Sequence, residues 1–254
     1  MGRPALLLFL LALLLVPSCE KSPSEGFTPV LNVHGLLQPG NTYRQIQVDR
    51  TYAISESSGQ WFSAARVQIW RGSDTWDFAY DQHSSYRSRT TIPVRSCDTF
   101  ELQVSAPGFD TVRAKTVVPD TFSIIAPRDG DTVSVADVLL WTRSRNCAGY
   151  LLTYGDTWSG APWFIGALPD SLAGRLPLFF FAGVPEQPYT LHLLALDTNY
   201  FNWMRMAAAD TAGLKQDQGS RLVGGLGVLG SAVDCSVRVF VKNDTLGGLD
   251  PSTP

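Results

Sequence analysis

Residues that carry bond-making and metal chemistry are scarce in this chain. Its 254 residues include three histidines and four cysteines. None stands in an HExxH run or a CxxC pair, so the common zinc spacings are absent. No GxSxG turn offers a hydrolase serine. Basic residues are few and unclustered: 20 Lys and Arg against 23 Asp and Glu give a formal net charge of −3. Without a basic stripe or tail to neutralise phosphates, no nucleic-acid partner is expected. There is no acidic block, no apolar run of the roughly 20 residues that a spanning helix needs, and no repeat at solenoid or propeller periods. What remains is an ordinary globular composition, 44% hydrophobic and 11% aromatic. It is long enough for one large or two ordinary domains, and it implies neither a cofactor nor an enzyme.

What is present begins with a short greasy leader. Arg3 supplies a minimal positive start, and Ala5 to Val16 supplies an apolar stretch within the usual range of about 7 to 15 residues. The order Leu15-Val16-Pro17-Ser18-Cys19 ends it and resembles the lipobox of bacterial lipoproteins. The resemblance implies that residues 1–18 are a signal peptide and that Cys19 carries the lipid. Several acyl chains would then hold the protein to a membrane, since each buried methylene contributes about 0.8 kcal/mol. The other reading of the leader is an ordinary signal peptide whose removal releases a soluble periplasmic or secreted protein. Residues 19–28, polar with Pro23 and Gly26, read as the lipidated cysteine and its tether. Residues 244–254 read as a flexible tail.

Between them the dominant period is two, the period of strands. Alternating runs recur at Val30 to Leu36, Tyr43 to Tyr52, Arg66 to Trp70, Trp76 to Tyr80, Thr90 to Val94, Phe100 to Ser105 and Thr111 to Val118. Turns at Pro39-Gly40-Asn41, Gly72-Ser73-Asp74 and Ala106-Pro107-Gly108 punctuate them. A second series follows Pro119-Asp120: Phe122 to Ile124, Val138 to Trp141, Gly149 to Tyr154, Leu176 to Phe181, Tyr189 to Ala195 and Cys235 to Val241. The fold expected is therefore mainly β, with two tandem β-sandwich domains of immunoglobulin or fibronectin type III-like plan, over residues 29–119 and 120–243. Tyr200, Trp203 and Met204 recur at helical spacing and predict a short helix in the second domain.

Three patterns invite a chemical reading and receive a plainer one. Gly225-x-Gly227-x-x-Gly230 matches the dinucleotide fingerprint, but the strand-like Ser231 to Val237 follows where that motif needs a helix. Close backbone approach or a bulge before the last strand fits better. Asp129 and Asp131 flank Gly130 without EF-hand spacing, and a turn with carboxylates on local amides is expected. His192, inside Leu191-His192-Leu193-Leu194, reads as solvent-facing or at the core edge.

Beyond Cys19, the cysteines are Cys97, Cys147 and Cys235. An odd count leaves one thiol over, and Cys147 with Cys235, both in the second domain, is the first pairing to expect; buried thiols are the alternative. Among the aromatics Trp61, Phe62, Trp70, Trp76, Trp158 and Trp163, alternation assigns Trp76, with Phe78 and Tyr80, to the core. Trp158 and Trp163 bracket Gly160-Ala161-Pro162 in a predicted loop and are the candidate binding aromatics.

The order Cys19-Glu20-Lys21, Leu31-Asn32-Val33-His34-Gly35-Leu36-Leu37 with Pro39-Gly40, Ser105-Ala106-Pro107-Gly108-Phe109 and Val118-Pro119 resembles a bacterial outer-membrane lipoprotein family, domain of unknown function 4249. Asn199-Tyr200-Phe201-Asn202-Trp203 and the glycine run Gly224 to Gly230 match its closing pattern. The resemblance implies a lipid-anchored cell-envelope β-protein that accompanies TonB-dependent outer-membrane receptors, and it transfers no active-site residue. The function expected is a non-enzymatic binding or accessory module whose partner is an envelope protein or receptor. The alternative is a carbohydrate-binding lipoprotein of a nutrient-uptake system, with a glycan as partner.

Overall fold

The computed structural model describes residues 27–40, 45–53, 61–156, 163–169, 174–209 and 222–242. Met1–Pro29 with Thr51–Gln60 form one unit, and Val30–Arg50 with Trp61–Pro254 form another. The second holds all the described strands and the helix.

Seven antiparallel strands build the first module: β1 (Leu31–Leu37), β2 (Gln45–Arg50), β3 (Arg66–Arg71), β4 (Asp74–Tyr80), β5 (Ser85–Ser88), β6 (Thr99–Ser105) and β7 (Val112–Val117). They lie in the order β1-β2-β5-β4-β3-β6-β7. Alternation decides which face is inward: Leu31, Val33 and Leu37 of β1 and Phe100, Leu102 and Val104 of β6 are buried, with their neighbours only partly so. The sheet folds back on itself, because β7 returns to the chain just ahead of the last strand through the Arg113–Val223 bridge. Tyr86 locks one connection by accepting from the Ala65 N–H at 3.0 Å and donating to the Phe62 carbonyl at 3.1 Å.

The strand expected over Thr90 to Val94 is absent. Ile92 and Val94 are buried, so the alternation there records burial without pairing, and Pro93 has no N–H for a ladder. Pairing falls instead to β5, just upstream.

The second module contains β8 (Ile124–Ala126), β9 (Thr132–Val133), β10 (Val138–Trp141), β11 (Gly149–Asp156), β12 (Trp163–Pro169), β13 (Arg175–Pro177), β14 (Pro188–Leu196) and β15 (Leu226–Val241). A three-stranded sheet, β13-β10-β8, packs on β12-β11-β14-β15. Trp141 of the first meets Tyr150 of the second at 5.4 Å between ring centroids. Leu139, Leu152, Leu191 and Leu193 have no exposed surface, and each stabilises the fold by about 1.5–3 kcal/mol through removal from water. The chain is thus mainly β, with two sandwich modules of immunoglobulin or fibronectin type III-like plan and, among the described residues, one short α-helix.

Two sequence expectations in this module change. The run Leu176 to Phe181 is a strand only to Pro177. Phe179–Phe181 then form a 3₁₀ turn that sets Phe181 against Tyr154 at 5.3 Å. The segment read as a loop around Trp163 is strand β12, paired with β11.

β15 joins the two modules. Its first part runs parallel to β1, with Asn32 opposite Leu226 and Leu37 opposite Ser231. Its remainder runs antiparallel to β14, from Ala232 opposite Leu196 to Phe240 opposite Pro188. The glycine pattern starts at Gly225, just ahead of this strand, and continues into it at Gly227 and Gly230. A side chain on Gly225 would meet Val112 at 2.5 Å and the Leu31 carbonyl at 2.7 Å, so the glycines serve close backbone approach.

Helix α1 (Thr198–Ala209) follows β14 and packs on the outer face of this sheet, where Phe201 buries itself against Leu151, Leu196 and Ala232. Asp197 caps it by accepting from the Tyr200 N–H at 2.9 Å.

Candidate functional site

The same alternation that buries Val33 and Ile46 turns His34 and Gln47 outward. Strand pairing then sets them side by side, and a three-strand row runs Val228, His34, Gln47 across β15, β1 and β2. Gln45, two residues before Gln47, shares this face. Helix α1 lies beside the row. It comes down onto the sheet at Gly230, where any Cβ would stand 2.5 Å from that of Tyr200. This approach places Tyr200 and Trp203, one turn apart on α1, next to the strands. The Trp203 ring meets His34 edge-on at 5.6 Å and Tyr200 at 5.5 Å with a 35° tilt.

The result is an open cleft of about 480 Å³, lined by His34, Gln38, Gln45, Gln47, Tyr200 and Trp203. That size lies within the range of about 300–1,000 Å³ usual for ligand pockets. Among the described residues no Asp, Glu, Lys or Arg lines it. Burial pushes the His34 imidazole below its ordinary pKa and the Tyr200 phenol above its own, so both favour the neutral form. Among the described residues nothing hydrogen-bonds the side-chain amides of Gln38, Gln45 and Gln47.

A second cleft of similar volume, lined by Lys115, Thr116, Asn146, Cys147, Asp197 and Asn199, differs in kind because its polar groups bond one another. Asn199 donates to the Lys115 and Leu229 carbonyls at 2.7 and 2.9 Å. Thr116 Oγ1 lies 2.7 Å from Asp197 Oδ2 and 2.8 Å from Ser231 Oγ. Ser231 Oγ in turn lies 3.1 Å from the Val117 carbonyl. This network ties β7, β15 and α1 together.

The residues singled out in the sequence fare differently. Cys19 and Trp158 lie outside the described residues, as does the side chain of Trp163, whose backbone opens β12 opposite Tyr154. Cys147 and Cys235 are not bridged to each other, which corrects the expected pairing. Cys235 sits on β15 opposite Leu193 of β14, and β14 separates it from β11, which Cys147 precedes. That intervening strand alone holds them about 9–10 Å apart, and a disulfide needs Cα atoms within about 7 Å. Cys147 instead donates to the Gly149 carbonyl at 2.9 Å.

Asp131 accepts from the Arg128 N–H at 2.7 Å, the local turn chemistry expected, whereas Asp129 accepts from the N–H of the distant Arg238 at 2.9 Å. Among the described residues no group of three or more His, Cys, Asp or Glu is placed to hold a metal ion. His192 is half-exposed and lies 3.1 Å from Asp234. Trp76 packs against the core, whereas Tyr80 is exposed.

The cleft residues were not singled out in the sequence. The alternations Val33-His34-Gly35 and Gln45-Ile46-Gln47 carry the outward polar face, and the helical spacing of Tyr200 and Trp203 carries the wall. Their meeting depends on the β1–β15 pairing, which no local pattern encodes.

Comparison with known proteins adds three findings. A family model described as Domain of unknown function (DUF4249) matches residues 17–203. No curated protein sequence matches. Among solved structures, a two fibronectin type III domain segment from chicken tenascin is similar at 15% identity and a TM-score of 0.23, over 66% of this chain and 90% of that one. No helix among the described residues is long and apolar enough to cross a membrane.

Proposed function

We propose, from the premise that this chain belongs to the DUF4249 family, that it is a lipid-anchored cell-envelope protein that binds rather than catalyses. In this reading Cys19 carries the lipid, the following polar residues lift the β-body from the membrane, and the body serves as an accessory module of a TonB-dependent outer-membrane receptor. The observation that carries the binding half is the make-up of the α1/β1–β2 cleft. Acid–base or nucleophilic chemistry needs a titratable group poised near the working pH and a partner within hydrogen-bond reach. Among the described residues no carboxylate or cationic side chain lines the cleft to act with its imidazole and phenol. Uncharged amides beside aromatic rings suit recognition. The leader ending at Cys19 supports the anchored half.

Two measurements test the reading. In cells fed a labelled fatty acid, the wild-type chain should take up label and sediment with membranes, whereas Cys19→Ser should do neither; unchanged labelling would refute anchoring. Affinity purification of the anchored protein from solubilised envelopes should recover an outer-membrane receptor in stoichiometric amount. Recovery of the protein alone would refute the accessory role.

A further inference from the structure

We infer that the α1/β1–β2 cleft is a binding site for neutral saccharides, with Trp203 and Tyr200 as its apolar wall and Gln45, Gln47 and Gln38 as its hydrogen-bonding side. This deepens the binding reading above and rests on it. A sugar ring presents an apolar C–H face and a rim of hydroxyls that both donate and accept. The cleft offers the complement of each. Trp203 and Tyr200 are partly exposed rings on one helix face, held in place by mutual contact and by His34. Each glutamine amide has two donor hydrogens and one acceptor oxygen, so it can pair with a hydroxyl in either sense.

Charge narrows the ligand class. A phosphate or uronate would ask for Arg or Lys, a cationic ligand for carboxylates, and among the described residues neither lines the cleft. Fold position excludes the commonest alternative among polymers. β1 is paired on both sides, by β15 and β2, and β2 on both sides, by β1 and β5, so an extended peptide finds no free backbone edge on the two strands that carry the glutamines and His34. Among the described residues the three amides have no hydrogen-bond partner, and leaving such groups without partners under a bound ligand would be costly. A hydroxyl-rich ligand satisfies them.

The test is calorimetric titration of the full-length, detergent-solubilised protein with maltotetraose, cellotetraose, xylotetraose and N-acetylchitotetraose. An acidic oligogalacturonate and a proline-rich decapeptide serve as competitor classes. At least one neutral tetrasaccharide should bind saturably, with an affinity unchanged between low and high salt because no ion pair contributes. Trp203→Ala should weaken it about tenfold or more. So should the double variant Gln45→Ala/Gln47→Ala, whose side chains face away from the core and whose melting temperature should stay at the wild-type value. The double variant decides the matter should Trp203→Ala fail to fold. Silence from all four neutral sugars, retention of affinity in the folded double variant, or preference for the acidic sugar or the peptide overturns the assignment. Those results leave the lipid labelling and receptor recovery untouched, so failure here is distinct from failure of the broader reading.

Discussion

Gly72 and Gly227 both adopt positive φ, +58° and +103°, but their surroundings differ. Gly72 sits in the β3–β4 turn with open space where a side chain would go, whereas a Cβ on Gly227 would fall on the Val33 carbonyl oxygen. Gly72→Ala should therefore cost about 1–2 kcal/mol from the left-handed backbone alone. Gly227→Ala adds a collision with backbone that cannot swing aside, and should exceed about 4 kcal/mol, the range of exceptional single substitutions. Urea unfolding midpoints of the two variants check this; equal losses would remove the collision from the account. The spacing of Gly225, Gly227 and Gly230 makes close approach legible in the sequence. What approaches is not legible, since Val33 and Tyr200 come from elements distant in the chain. The same holds for the cleft: the outward character of His34 and Gln47 can be read from alternation, but their nearness to Trp203 cannot.

At the scale of the element, helix α1 depends on a cap that reaches well beyond itself. Besides the Tyr200 N–H, Asp197 accepts from the Ser231 N–H at 3.1 Å, and its other oxygen faces Thr116 in the chain of contacts Asp197–Thr116–Ser231–Val117 carbonyl. Burial raises the pKa of this carboxyl above its ordinary value, opposed by the hydrogen bonds it accepts from the Tyr200 N–H, the Thr116 hydroxyl and the Ser231 N–H. The pH dependence follows by linkage. With the folded pKa above the unfolded value of about 3.9, this contribution is fully present below that value and is lost as pH rises through the folded pKa. Asp197→Asn keeps the size of the side chain and removes its charge, so it stands in for the neutral form at every pH. The wild type should lose stability relative to Asp197→Asn as pH climbs through this window, and parallel pH profiles of the two midpoints would contradict the assignment. The helix itself is visible in the spacing of Tyr200, Trp203 and Met204. The cap is not, because Thr116 belongs to the other module. Strands misread or missed, such as Thr90 to Val94 and β12, share a physical cause: periodicity reports which side chains are buried, and pairing is decided by distant backbone.

For the whole molecule, β15 is the decisive element. Residues Leu226 to Ser231 complete the sheet beside β1, and residues Ala232 to Phe240 complete the sheet beside β14. Two sandwiches built on one strand should lose their structure together. A single calorimetric transition is expected, with enthalpy equal to its van't Hoff value. Val233→Pro removes an N–H and fixes φ in the middle of this strand, and it should abolish amide-exchange protection in β1 and β14 alike. Protection surviving in either module would show that the modules are independent. Alternating runs and turns made the two-sandwich plan legible, but the parallel partnership of β1 with β15 was not, because it leaves the burial pattern of each strand unchanged. It also fixes an order of events. A ribosome delivers β1 early and β15 only after all the intervening strands, so the first sheet waits with an unpaired edge while the rest of the chain is made. Such long-range closure makes folding slow, and the first module cannot be completed before the last strand of the second has been made.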